Sequence, residues 1–192
     1  MQIVFVLEVG VDAWLAVGGR VGVPRPSSCP ACGHERVIFD GWYPRQTRRG
    51  RVSIQRVWCS SESCGRRSHS LLPDVLVSGR VDLASVIGWA LAAKAEGRGH
   101  RPIAAELGVP HTTVRGWLRR AASRGGRVAV TLLARAAAAD PAVRDPPAGG
   151  GGGIEVLVAA ATTAAVAWSS LSGEPVDPWS YAVMVTSGRL LG

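Results

Sequence analysis

Residues 29–67 read CPACGHERVIFDGWYPRQTRRGRVSIQRVWCSSESCGRR, and this stretch decides the fold of the first half of the chain. Cys29 and Cys32 have two residues between them, Cys59 and Cys64 have four, and twenty-six residues separate the pairs. Two close thiol pairs joined by a long insert match the requirement of a tetrahedral zinc site: each pair forms a tight knuckle, and the insert folds as a β-hairpin that brings the knuckles together. Four thiolates complete the shell, so the expected metal is structural Zn2+ and no position is left open for a substrate. Gly33 lets the first knuckle wrap. His34 and His69 stand close enough in sequence to replace a ligand, but with four thiols present they are expected to be ordinary surface histidines.

The hairpin follows from β-prone runs at Val37–Trp42 and Val52–Cys59, with Pro44 to Gly50 as its tip. In the second run Val52, Ile54, Arg56 and Trp58 alternate with Ser53, Gln55 and Val57, as a strand requires. Arg45, Arg48, Arg49 and Arg51 gather at the tip behind Trp42 and Tyr43. Guanidinium groups beside aromatic rings can hold phosphates and stack on bases. A solvated, charged loop is the plainer reading.

From residue 82 the period changes from two to 3.6. Asp82 is expected to cap a helix whose stripe is Leu83, Val86, Ile87, Ala90 and Leu91, ending near Gly97. A second, short helix starts at Pro102 and buries Ile103, Ala104 and Leu107. Gly108 supplies a left-handed turn. A third helix starts at Pro110 and turns Val114, Trp117, Leu118 and Ala121 inward, and Val128–Ala139 is expected as a fourth. The segment RPIAAELGVPHTTVRGWLRR, residues 101–120, thus has the mechanics of a helix-turn-helix. His111, Thr112, Thr113 and Arg115 then occupy the exposed start of the recognition helix, where a major groove is entered. Arg101, Arg119 and Arg120 are placed for phosphates. An ordinary helical bundle with a solvated arginine face is the alternative.

Charge distribution points the same way. The chain carries +8 overall, but residues 29–128 hold seventeen basic and seven acidic residues, net +10, whereas residues 129–192 are net −2. A concentrated cationic segment suits a polyanion, duplex DNA first. Lys94 is the only lysine, and arginine favours bidentate phosphate or guanine contacts.

The chain therefore divides into a strand and connection at 1–28, a zinc ribbon at 29–72 and a helical domain at 80–140. A Pro/Gly linker follows at 141–153, and an apolar helical tail at 154–192. The expected class is α+β. Much of the 47% hydrophobic content is Ala and Val, so each core is small and a metal staple is physically useful. The apolar run Ile154–Leu171 is short for a membrane span and rich in Ala and Thr, so a helix packed on the body or on a second copy is expected. Met1 to Leu7 lacks a basic flank, so no export signal is expected, the thiols are metal ligands rather than disulfides, and the location is cytoplasmic. Residues Tyr181–Leu191 read as a short terminal helix.

The CPACG knuckle, the WCSSESCGRRS knuckle and the GVPHTTVRGWL helix resemble the N-terminal half of bacterial insertion-sequence transposases. Small standalone bacterial proteins of the same layout share the likeness. The resemblance covers residues 29–122 and implies a zinc ribbon followed by a helix-turn-helix that reads the end of a mobile element. It carries over Cys29, Cys32, Cys59 and Cys64 as ligands and the exposed positions of the third helix as DNA contacts. It does not carry over catalysis. The transposases' RNase H-like half gathers three carboxylates around metal ions, and only Asp140, Asp145, Glu155, Glu174 and Asp177 follow the helix-turn-helix here. The expectation is a non-catalytic, zinc-stabilised DNA-binding protein, with no small-molecule substrate and with the apolar C-terminal helix as a candidate homodimer face. A zinc-ribbon adaptor that docks proteins is the competing class. An enzyme is disfavoured because none of the four histidines stands beside a nucleophile motif.

Overall fold

In the computed structural model, residues 2–143 and 152–191 are described. They form an α+β protein with a four-stranded sheet and six helices. The strands are β1 (Gln2–Phe5), β2 (Val37–Thr47), β3 (Gly50–Cys59) and β4 (Ser68–Pro73), in the order β1-β4-β3-β2. β2 and β3 are the expected antiparallel hairpin, and β4 returns antiparallel to β3. β1 lies parallel to β4, pairing Gln2 with Ser70 and Phe5 with Pro73. The N-terminal strand is therefore an edge of the same sheet and not a separate appendage.

The hairpin differs from expectation at its tip. β2 runs to Thr47 and β3 begins at Gly50, so the turn is only Arg48-Arg49. Thr47 is buried there, and its Oγ1 donates to the Gly50 carbonyl at 2.7 Å. A bulge between Phe39 and Trp42 offsets the register of β2, and the Gln55 amide donates to the Gly41 carbonyl at 2.7 Å. Opposite the bulge β3 changes its buried face. Val52 and Ile54 point into one apolar cluster with Trp14, Leu72 and Leu83, whereas Val57 and Cys59 point into another with Phe5, Val37 and Leu71. A single alternating face along Val52–Trp58 does not describe this strand, because the sheet is covered by different elements at its two ends.

The helices are α1 (Val11–Ala16), α2 (Ala84–Ala95), α3 (His100–Leu107), α4 (His111–Ala139), α5 (Gly153–Ser172) and α6 (Pro178–Val185). Asp82 does not cap α2. Leu83 holds the cap position, and the buried Asp82 carboxylate pairs with Arg48 across the chain. α3 starts two residues before Pro102, with Gly99 at its cap. The third and fourth helices of the sequence reading are one continuous helix of 29 residues, about 43 Å long at the standard rise.

Gly125-Gly126 sits inside α4. A Cβ on Gly125 would run into the backbone carbonyl of Gly153, so the glycine permits α5 to cross α4 at backbone contact. Gly153, the last glycine of the expected linker, is thus the first residue of α5 and Gly152 its cap; residues 144–151 of that linker lie outside the described residues.

The largest core joins the helices. Ile87 and Leu91 of α2, Ile103 of α3, and Val114, Trp117 and Leu132 of α4 meet Leu157 and Ala161 of α5 and Trp179 and Val183 of α6. α5 is the one described helix long and apolar enough to cross a membrane by length and composition. It turns Ile154, Leu157, Ala160, Ala161 and Ala164 into this core and leaves Val166 and Leu171 exposed. α6 begins at Pro178, earlier than the Tyr181 of the sequence reading. Asp177 caps it, accepting hydrogen bonds from the Trp179 and Ser180 amides.

Candidate functional site

The four cysteines converge at the open end of the hairpin. All four sulfurs lie within 4.8 Å of one another and no disulfide joins them, so they can hold a metal ion. Cys29 and Cys64 Sγ are 3.8 Å apart, and Cys32 and Cys59 Sγ are 3.7 Å apart. Cys29, Cys59 and Cys64 are buried and Cys32 is exposed. Each knuckle is closed by backbone: the Gly33 N–H donates to the Cys29 carbonyl at 2.8 Å, with Gly33 at φ 75°, and the Cys59 N–H donates to the Arg67 carbonyl at 2.7 Å.

The thiols are electrostatically unequal. Burial raises the Cys29 thiol, but the amides of Ala31 and Cys32 and the imidazole of His69 outweigh it and hold its pKa at about 6. Burial dominates at Cys59 and pushes that thiol up to about 12. Cys29 is thus the thiol most readily converted to a thiolate, and Cys59 the one that most needs a cation to release its proton.

His69 is not a surface histidine. It is buried on β4, and its Nε2 lies 3.3 Å from Cys29 Sγ. His34 is exposed and shares a 3.0 Å hydrogen bond with Ser60 Oγ.

Three of the four arginines of the hairpin tip, Arg45, Arg48 and Arg49, are engaged within the chain, and Arg51 is exposed. Arg45 donates through Nη2 to the Val77 and Arg80 carbonyls at 2.6 and 2.7 Å. Arg48 pairs with Asp82, and Arg49 pairs with Asp12 at 2.6 Å on the surface. They tie the tip to the loop before α2 and to α1. Trp42 is exposed beside Arg20, whose guanidinium carbon lies 6.0 Å from the ring centroid.

α3 and α4 are joined by three residues. Gly108 is left-handed at φ 63° and ψ 31°, Val109 is buried, and Pro110 caps α4. A side chain at this φ is strained, which is why glycine stands there. Val114, Trp117, Leu118 and Ala121 are buried against α2 and α3. That leaves His111, Thr112, Arg115 and Arg119 exposed and Thr113 and Arg120 half-buried. Arg101 is exposed on the first turn of α3. Among the described residues Arg101, Arg115 and Arg119 form no ion pair, and the one neighbouring pair is Arg98 with Glu106. Arg120 folds back through Nη1 onto the Gly116 carbonyl at 3.2 Å.

His100, which the sequence did not single out, stands beside His111 with ring centroids 6.0 Å apart. Its position at the start of α3 is the only sequence signal for it. No family model, no curated protein and no solved structure matches this chain.

Proposed function

We propose that this is a non-catalytic DNA-binding protein, in which a structural Zn2+ in a four-cysteine zinc ribbon steadies the sheet and the α3–α4 helix-turn-helix reads duplex DNA. The exposed start of α4 is the observation that carries the reading. Among the described residues, His111, Thr112 and Arg115 are exposed at one helix end, and the arginines there have no acidic partner. In the major groove Arg115 would pair with guanine and Thr112 would meet a base edge or a thymine methyl. Arg101 and Arg119 would bind flanking phosphates.

Zinc is favoured by the thiol geometry. A tetrahedron with bonds of about 2.3 Å has edges of about 3.8 Å; two of the sulfur pairs are at 3.7 and 3.8 Å, and all lie within 4.8 Å. The likeness of residues 29–122 to the DNA-recognition half of insertion-sequence transposases supports the same function, as a regulator or as an accessory or relic of a mobile element.

The test is Arg115→Ala and Thr112→Ala in the zinc-loaded chain. Each base-reading contact is worth about 1–3 kcal/mol of discrimination, so affinity for the preferred site falls and preference at one base step relaxes. Unchanged affinity and preference in both variants would remove the recognition helix from the account.

A second reading has its own support. β2 is a sheet edge, and Ile38, Phe39 and Trp42 are exposed along it at 40–43%. An unpaired edge with aromatic side chains can add a strand from a protein partner. This adaptor reading expects a complex that Arg115→Ala leaves intact.

A further inference from the structure

The fold gathers five guanidinium groups on one side of α4 behind the exposed helix start. Arg120, Arg124 and Arg127 follow at helical spacing and share a stripe. Arg80 comes from the loop before α2, and Arg189 from the segment after α6. The Ser78 N–H donates to the Gly188 carbonyl at 2.8 Å, which ties these two segments side by side. Arg124 is steadied by its Nη1 bond to the Leu191 carbonyl at 3.3 Å. Arg124, Arg127 and Arg189 line an open groove of about 780 Å³, edged by the hydroxyls of Ser123, Thr131 and Thr186.

Nothing in the described chain balances this charge. Four ion pairs form elsewhere, and none includes any of the five arginines. Burial, and then the nearby charges of Arg120 and Arg124, hold the Arg80 guanidinium below its ordinary pKa. Its Nε is buried without a hydrogen-bond partner among the described residues. Bringing like charges together from three distant segments opposes folding, and a polyanion would reverse the sign of that interaction.

We propose that Arg80, Arg120, Arg124, Arg127 and Arg189 form a second binding site whose ligand is a cluster of phosphate groups. Resting on the DNA reading, the occupant is the duplex backbone beside the groove that α4 enters. From His111 to Arg127 the helix advances about 24 Å, twice the roughly 12 Å width of a major groove. The trailing half of α4 therefore extends past the groove. At about 100° per residue the stripe lies roughly 120–180° round the helix from Arg115, so the phosphates it meets belong to duplex flanking the base-reading contact. Guanidinium forks suit phosphate oxygens, and such contacts hold the duplex without reading its sequence.

The experiment compares the zinc-loaded full chain with the triple variant Arg124→Gln, Arg127→Gln, Arg189→Gln, using a fixed duplex across a salt series and tripolyphosphate by thermal shift. Each lost phosphate contact lowers the slope of log K against log salt by about 0.9. The triple variant is expected to flatten the slope by roughly two to three, equally on every duplex sequence. Its melting temperature without ligand should equal or exceed that of the parent, because repulsion is relieved. If the parent binds no duplex but tripolyphosphate raises its melting temperature and not that of the variant, the phosphate site stands with a free ligand and the recognition-helix reading falls. If parent and variant agree with both probes, the proposal is overturned.

Discussion

His69 Nε2 lies 3.3 Å from Cys29 Sγ, and both residues are buried. In the tautomer with its proton on Nε2, the ring donates to the sulfur and favours the thiolate. Its Nδ1 has no partner among the described residues, so the contact with sulfur is the polar interaction the ring makes there. Groups that support metal ligands in this way are worth about 10–100-fold in metal affinity. His69→Ala and His69→Phe are both expected to weaken zinc by about that factor in a chelator competition. Equal affinity in His69→Phe, which keeps the bulk and loses the donor, would reduce His69 to a packing residue.

Metal removal should act locally. Cys29, Cys59 and Cys64 belong to the apolar cluster with Phe5, Val37 and Leu71, whereas the helices share a separate core. A chelator, or Cys59→Ser, is expected to expose the amides of Cys29, Gly33 and Cys59 to hydrogen exchange while α2–α6 stay protected. Unchanged protection at those three amides would show that the knuckles hold without metal.

Two adjacent glycines in α4 should respond in opposite directions. Gly125→Ala drives a methyl group into the Gly153 carbonyl and is expected to cost about 1–3 kcal/mol or more as overpacking. Gly126 is exposed, with nothing within 4 Å of a Cβ built there. Gly126→Ala should stabilise by about 0.5–1 kcal/mol through helix propensity. Denaturant melts of both variants check the pair, and similar effects would contradict the close crossing of α4 and α5.

Asp74 is expected to add a pH-dependent contribution to the stability of the sheet. Burial raises its carboxyl above the ordinary range, although Oδ1 accepts the Leu7 N–H at 3.2 Å. A raised folded pKa gives stability that is fully present below the unfolded value and is lost as pH rises through the folded one. Asp74→Asn keeps an acceptor and removes the charge. It is expected to melt higher than the parent at pH 7, with the difference shrinking as pH falls into the carboxylate range. A difference independent of pH would exclude Asp74 as its source.

The sequence made some of this architecture legible and hid the rest for physical reasons. Cysteine spacing and 3.6-residue periodicity are local signals, and they located the hairpin, α2, α3 and the start of α4. β4 is a short SHSLLP segment without alternation, and its place depends on pairing with β1 and β3, which is not local. With β4 unrecognised, His69 had no buried position to occupy. Gly125-Gly126 carries the composition of a helix end, but here its small size serves a crossing that only α5 reveals. The tip arginines read as free because their partners, Asp82, Asp12 and the Val77 carbonyl, are up to 37 residues away in sequence. The Arg80–Arg189 cluster is likewise invisible until the fold closes. Charge composition marks a cationic segment but not which guanidinium groups remain available.

The most direct measurement is selection of duplexes from a random-sequence pool by the zinc-loaded chain at several salt concentrations, with the retained sequences read out. The account predicts retention that falls steeply with salt and an enriched motif that Arg115→Ala blurs. No retention at low salt would contradict it.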